Sequence, residues 1–91
     1  VVNSEDIREK PEETLTKLCN KVNLDFQKSM LSWPKGGHRQ DGVWASHWYG
    51  SAHKSTGFSG PEDNLPNLKG RNANLAVASM PFYRSLLKFA I

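Results

Sequence analysis

One short stretch of the chain, residues 33–58, constrains the fold more than any other part. It reads WPKGGHRQDGVWASHWYGSAHKSTGF and holds all three tryptophans, all three histidines and five of the seven glycines. Indole and imidazole rings are large groups whose polar atoms need partners, and glycine allows the backbone to bend sharply or to approach another group closely. The stretch is therefore either a crowded structural corner or a binding site.

The segment before this stretch has the pattern of an amphipathic helix, which we predict over residues 11–22. Pro11 suits the first helical position, and Glu13 precedes Lys17 by one turn, the order that favours an ion pair. Apolar side chains recur at helical spacing: Leu15, Leu18, Cys19 and Val22. Asn23 can end the helix in a left-handed conformation.

Three further segments follow from the pattern of turn-forming and apolar residues. Residues 33–42 form a basic, glycine-rich loop, and Asp41 can cap the tryptophan-rich helix predicted at 43–56. Apolar residues with helical spacing predict a closing helix over 65–91, kinked at Pro81 because proline lacks the N–H that a helix interior needs.

The chain opens with VVNSEDI, in which two β-branched residues precede a polar run. This order is typical of the end of a β-strand that runs into a turn. The predicted fold is therefore mostly α-helical with a short strand remnant at the N-terminus. Because such a strand has no earlier strand to pair with, we expect a fragment or a shortened relative of a longer protein.

Composition restricts the possible partners. A chain of 91 residues with 37 % hydrophobic side chains can bury one modest core, so we expect a partner surface or self-association to cover the remaining apolar faces. The net charge of +3 is mild, and the sequence contains no run of basic residues. We therefore do not expect a nucleic-acid partner.

The single cysteine bears on the compartment. Cys19 cannot form an internal disulfide, and it lies on the apolar face of the first predicted helix, which indicates a buried thiol. We therefore expect the cytoplasm or another reducing compartment. No apolar run is long enough to predict a membrane span.

The glycine-rich loop has the chemistry of a phosphate cradle, because glycines let backbone N–H groups approach an oxyanion and cations add charged donors. The candidate residues are Lys35, Gly36, Gly37 and Arg39. A solvated connector has the same composition and remains the alternative. Ser55 and Thr56 can either cap a helix end or donate hydrogen bonds to a phosphate.

The aromatic residues of the same stretch allow two readings. Trp44, Trp48 and Tyr49 can stack on a nucleobase or line an apolar pocket, or they can pack against the closing helix. His47 and His53 flank them and are candidates for a general base or for local hydrogen bonding. The spacing of the histidines does not match that of zinc ligands, so we predict no metal site.

Three segments of the sequence resemble a known family. The opening acid, the Pro-Glu-Glu helix and LCNKVNLDF are similar to a segment of P-loop sulfotransferases. The text MLSWPKGGHRQDGVWASHWYGSAHKSTGF is similar to a distal signature that bacterial and plant members of a sulfotransferase-like family carry. The region from Leu65 through Pro81 to Leu86 is similar to the closing helix of that family, so the resemblance spans nearly the whole chain.

The resemblance implies an α/β fold that binds 3′-phosphoadenosine-5′-phosphosulfate and moves its sulfuryl group to an acceptor hydroxyl or amine. It places Lys35, Gly36, Gly37 and Arg39 at the loop that holds the 3′-phosphate, with Trp44 near the family's tryptophan. Pro34 replaces the arginine of that loop, and the spacing to Asp41 differs from the family pattern.

The implied function is the distal rim of this nucleotide pocket, in a mostly helical C-terminal portion of the sulfotransferase-like fold. No GxxxxGK[ST] motif occurs in these residues, so we expect the chain not to catalyse transfer alone. Its expected partner is an N-terminal P-loop segment or a second copy. The alternative is a non-catalytic, oligomeric module that binds a small apolar or nucleotide ligand.

Overall fold

A computed structural model describes residues 1–91 and contains five α-helices with almost no β-structure. The helices are α1 (Ser4–Glu9), α2 (Pro11–Lys21), α3 (Ala45–Trp48), α4 (Gly50–Lys54) and α5 (Gly70–Leu87), with a 3-10 turn at Lys28–Leu31. The mostly α-helical class predicted from the sequence is confirmed. None of the five helices combines the length and the hydrophobicity that a membrane-spanning helix requires.

The N-terminus differs from the strand that its two valines predict, because residues 1–3 form no strand and Ser4–Glu9 is helical. The Asn3 side chain caps this helix by accepting a hydrogen bond from the Glu5 N–H at 3.3 Å. Val1 instead meets the other end of the chain. Its amino group donates to the Phe89 carbonyl at 3.4 Å, and its carbonyl accepts from the Ile91 N–H at 3.1 Å, so these two hydrogen bonds join the ends of the chain.

The core of the chain lies between α1, α2 and the 3-10 turn. The Thr14 hydroxyl donates to the Asp6 carbonyl at 3.1 Å and so joins α2 to α1. Cys19 is 5 % exposed and its sulfur lies 3.9 Å from that of Met30. Asn23 has φ of +56°, the left-handed conformation expected after α2.

The tryptophan-rich segment forms two short helices where the sequence predicts one over 43–56. α3 ends at Trp48, and Tyr49, with φ of −109° and ψ of 20°, separates it from α4. Trp44 and Trp48 are 67 % and 75 % exposed. Trp48 ends α3, Trp44 directly precedes it, and α3 does not pack against α5, so the structure does not support the alternative in which these two rings pack against the closing helix.

The closing helix is shorter than the predicted 65–91 and is not interrupted at Pro81, which lies inside Gly70–Leu87. Within this continuous helix the Ser79 hydroxyl donates to the Leu75 carbonyl one turn earlier, at 2.8 Å. α5 packs against no other helix.

The molecule is expanded for its length. Its radius of gyration is 16.4 Å, against about 12 Å for a compact chain of this size. Its accessible surface is 8009 Å², whereas a folded monomer of 10.2 kDa exposes about 5,300 Å². Only Thr14, Cys19 and Ala45 are buried. Large apolar surfaces, above all that of α5, therefore remain exposed to solvent in the single chain.

Candidate functional site

Backbone hydrogen bonds join the glycine-rich loop to the segment that contains α4. The Trp33 N–H donates to the Thr56 carbonyl at 2.9 Å, and the Gly36 N–H donates to the His53 carbonyl at 2.8 Å. An isolated antiparallel bridge pairs Ser32 with Gly57. These contacts hold the loop along α4 and form an open cleft between them.

The cleft has a volume of about 530 Å³, which lies in the range of roughly 300–1,000 Å³ that is typical of small-molecule sites. Ten residues line it: Trp33, Pro34, Lys35, Gly36, Gly37, His38, Asp41, Tyr49, Ala52 and His53. The structure therefore brings together five of the residues proposed from the sequence, namely Lys35, Gly36, Gly37, Tyr49 and His53.

Asp41 links the loop to α4. Its Oδ2 atom accepts a hydrogen bond from the His38 backbone N–H at 2.7 Å and lies 3.0 Å from Nε2 of His53. The His38 N–H, and then the His53 imidazole, hold the pKa of the Asp41 carboxyl below its usual value of 3.8. The carboxylate is therefore occupied within the cleft and does not cap a helix, which the sequence had suggested.

Gly37 allows the loop to approach the His53 ring closely. A Cβ atom at this position would lie 2.8 Å from Cε1 and 2.9 Å from Nε2 of His53, well inside ordinary contact distance. Gly36, one residue earlier, has φ of +115°, a conformation that glycine adopts without strain. The two glycines thus have different roles, one steric and one conformational.

Trp33 supplies the indole of the cleft. Its Nε1–H donates to the Ser55 hydroxyl at 2.9 Å, and that hydroxyl donates to the Ala52 carbonyl at 2.6 Å. The Phe58 ring meets the indole edge-on, with centroids 5.4 Å apart and planes at 82°. Trp33 is therefore held in a fixed orientation beside Lys35, and the Ser55 hydroxyl is engaged in holding it.

The other candidate residues lie outside the lining of the cleft: Arg39, Trp44, His47, Trp48, Ser55 and Thr56. Trp44 and His47 lie near each other, with ring centroids 6.1 Å apart. Thr56 contributes its backbone carbonyl to the Trp33 hydrogen bond. No three histidine, cysteine or acidic side chains converge in a way that could hold a metal ion.

Sequence reasoning missed five residues that line the cleft: Trp33, Pro34, His38, Asp41 and Ala52. The first four share one signal, because all lie within four residues of the Gly36–Gly37 pair. The hydrogen bond between Asp41 and the His38 N–H closes the loop and brings these neighbours to the cleft. The contact of Asp41 with His53 on α4, in contrast, depends on tertiary structure.

One family model and two proteins of known sequence match nearly the whole chain. The sequence model of a sulfotransferase domain family matches residues 1–90. Two proteins of Arabidopsis thaliana are similar over 86 residues, which is 94 % of this chain: branched-chain-amino-acid aminotransferase-like protein 1, at 40 % identity, and protein 2, at 36 % identity. The match covers 16 % and 15 % of those proteins, so the chain spans about a sixth of their length. No solved structure matches it.

Proposed function

Because the chain belongs to the sulfotransferase domain family, we propose that it forms the distal rim of a pocket for 3′-phosphoadenosine-5′-phosphosulfate. In this proposal Lys35, Gly36 and Gly37 hold the 3′-phosphate. The P-loop and the groups that act on the sulfuryl moiety come from a polypeptide segment outside these 91 residues. The chain alone therefore binds the nucleotide without transferring its sulfuryl group.

One observation carries the proposal: the donor set of the loop fits a phosphate. Lys35 lines the cleft, and the backbone N–H groups of Lys35 and Gly37 have no hydrogen-bond partner in the protein. The N–H groups of Gly36 and His38, in contrast, are both bonded within the protein. A phosphate oxygen that accepts from the free N–H groups beside a cation gains charge-assisted hydrogen bonds.

The outer parts of the rim have secondary roles in the proposal. Arg39 is exposed in the same loop and adds positive charge that attracts an anionic ligand. Trp33 is proposed as the aromatic surface on which the adenine stacks, in place of Trp44, because Trp33 lines the cleft and Trp44 does not. Tyr49 and His53 bound the opposite side.

The chemistry explains why the rim is proposed to need a second segment. Transfer of a sulfuryl group, like that of a phosphoryl group, depends on cations placed around the group that moves. When bound, the nucleotide supplies that group. Lys35 is the one cation among the residues that line the cleft, and it is assigned here to the 3′-phosphate, so the cations for transfer must come from elsewhere.

Titration calorimetry with two nucleotides tests the proposal. Adenosine 3′,5′-bisphosphate should bind the purified chain more tightly than adenosine 5′-monophosphate, which lacks the 3′-phosphate. Lys35→Ala should weaken bisphosphate binding about five- to tenfold, as expected for loss of one charge-assisted contact at an exposed site. Lys28→Ala, a substitution outside the cleft, is the matched control. Equal affinity for both nucleotides, unchanged by Lys35→Ala, would refute the proposal.

The exposed apolar surface favours a second candidate function, that of a non-catalytic, self-associating module. Large hydrophobic side chains of α5 are open to solvent, including Val77 and Phe82, each 73 % exposed. Apolar surface of this extent is typical of an interaction face. Light scattering after size exclusion distinguishes the two functions. A well-defined oligomer without affinity for the bisphosphate would favour the module.

A further inference from the structure

His53 contacts three successive parts of the glycine-rich loop. Its backbone carbonyl accepts from the Gly36 N–H at 2.8 Å. Its ring lies against Gly37, at the place that a Cβ atom would fill. Its Nε2 atom meets the Asp41 carboxylate at 3.0 Å. One residue of α4 thereby contacts the beginning, the middle and the end of the loop.

Asp41 completes this arrangement from the loop side. The same carboxylate oxygen that meets His53 accepts from the His38 N–H at 2.7 Å, and the Asp41 N–H donates to the His38 carbonyl at 3.0 Å. Two hydrogen bonds between His38 and Asp41 thus close this turn, and the Oδ2 atom of Asp41 also connects the turn to His53 on α4.

We infer that Asp41 and His53 act as a positioning pair, which holds the loop so that the Gly37 N–H and the Lys35 side chain face a bound phosphate or sulfate group. The ligand class rests on the proposed function, whereas the pair itself rests on contacts within the protein. Gly36 and His38 are the anchored neighbours of Gly37. Fixing both leaves the N–H between them free and in a defined place.

The pair also determines which nitrogen of His53 carries a proton. Asp41 Oδ2 accepts from the His38 N–H at 2.7 Å and lies 3.0 Å from Nε2 of His53. Because the carboxylate accepts this hydrogen bond, the neutral His53 ring carries its proton on Nε2. That tautomer is a spectroscopic signature of the pair.

Two substitutions at Asp41 separate positioning from charge. Asp41→Asn preserves an oxygen that can accept from both donors, whereas Asp41→Ala removes it. We expect Asp41→Ala to weaken binding of adenosine 3′,5′-bisphosphate about tenfold. Asp41→Asn should stay within about threefold of the unmodified chain. Glu62→Ala, which removes an exposed carboxylate paired with Arg8 away from the cleft, is the control and should leave the affinity unchanged.

Nitrogen NMR on the same variants tests the pair without any ligand. The unmodified chain should show the Nε2–H tautomer of His53 and a well-dispersed Gly37 amide, and both should change in Asp41→Ala and persist in Asp41→Asn. Circular dichroism verifies that the helices remain. If Asp41→Ala leaves the His53 tautomer and the Gly37 amide unchanged, the positioning role is overturned. If these signals respond as expected but no variant binds the bisphosphate, the pair stands and the proposed function fails.

Discussion

The close approach of Gly37 to His53 allows a single methyl group to test the geometry of the site. In Gly37→Ala the new Cβ would lie 2.8 Å from Cε1 of His53, whereas ordinary contact begins at 3.4 Å. The ring or the loop must therefore move, by about 0.6 Å if ordinary contact is to be restored. The ring cannot move freely, because its Nε2 atom is bonded to Asp41 and its backbone carbonyl to Gly36.

The expected cost follows from this restricted movement. Forcing an extra methyl group into a packed contact typically destabilises a protein by about 1–3 kcal/mol, and we expect the lower end because His53 is partly exposed. A loss of about 1 kcal/mol lowers the melting temperature of a domain of this size by roughly 4–8 °C. Bisphosphate affinity should fall together with it, since the Gly37 N–H moves with the loop.

Thermal unfolding followed by circular dichroism measures this shift, and the matched control is Gly60→Ala. A Cβ at Gly60 would meet no atom within 4 Å, and the φ angle of Gly60 is not in the positive range that favours glycine. The control should therefore melt within about 2 °C of the unmodified chain. If Gly37→Ala melts like Gly60→Ala and keeps the Nε2–H tautomer of His53, the close approach described here is not present in solution.

Two further predictions concern pH and the end of α2. The pKa of Asp41 in the folded chain lies below its usual value of 3.8. The ionised carboxylate therefore contributes its full stabilisation above about pH 4, and this contribution is lost as the pH falls through the lower folded-state pKa. Unfolding measured from pH 7 to pH 2 should show the loss of stability, and the loss should be smaller in Asp41→Asn. Asn23 has φ of +56°, so Asn23→Ala should destabilise the chain by about 1 kcal/mol and Asn23→Gly should not; equal melting temperatures for the two variants would contradict the left-handed conformation.

The part of the fold that the sequence predicts best depends on short-range contacts. The helix from Pro11, the left-handed Asn23 and the 2.7 Å ion pair of Lys17 with Glu13 all follow from residues within one or two turns of each other. The helix at Ser4–Glu9 also had a local signal in the Asn3 cap and the acids of its first turn. The two valines before Asn3 instead predict the end of a strand.

The part that the sequence does not predict depends on contacts between distant segments. Nothing near Asp41 in the sequence indicates that its carboxylate meets His53, twelve residues later. Trp44 and Trp48 show the converse case. Their apolar character predicts burial, but burial needs a covering surface, and α5 does not provide one. The periodicity of a helix shows which face is apolar without showing what covers it.

The relatives put the proposed function in context. The similar Arabidopsis thaliana proteins are named for a likeness to aminotransferases, yet the match covers only about a sixth of their length. Most of each relative therefore lies outside the similar region. For this chain, the family match over residues 1–90 and the donors of the glycine-rich loop are the guides to function.

The proposed function depends on a phosphate group that binds at the free N–H groups of Lys35 and Gly37. The most direct measurement is a proton–nitrogen NMR titration of the labelled chain with adenosine 3′,5′-bisphosphate. The account predicts saturable shifts of the Lys35 and Gly37 amides, with the α2 amides unmoved. Shifts confined to α5 or to the exposed tryptophans, with Lys35 and Gly37 unchanged at saturation, would contradict it.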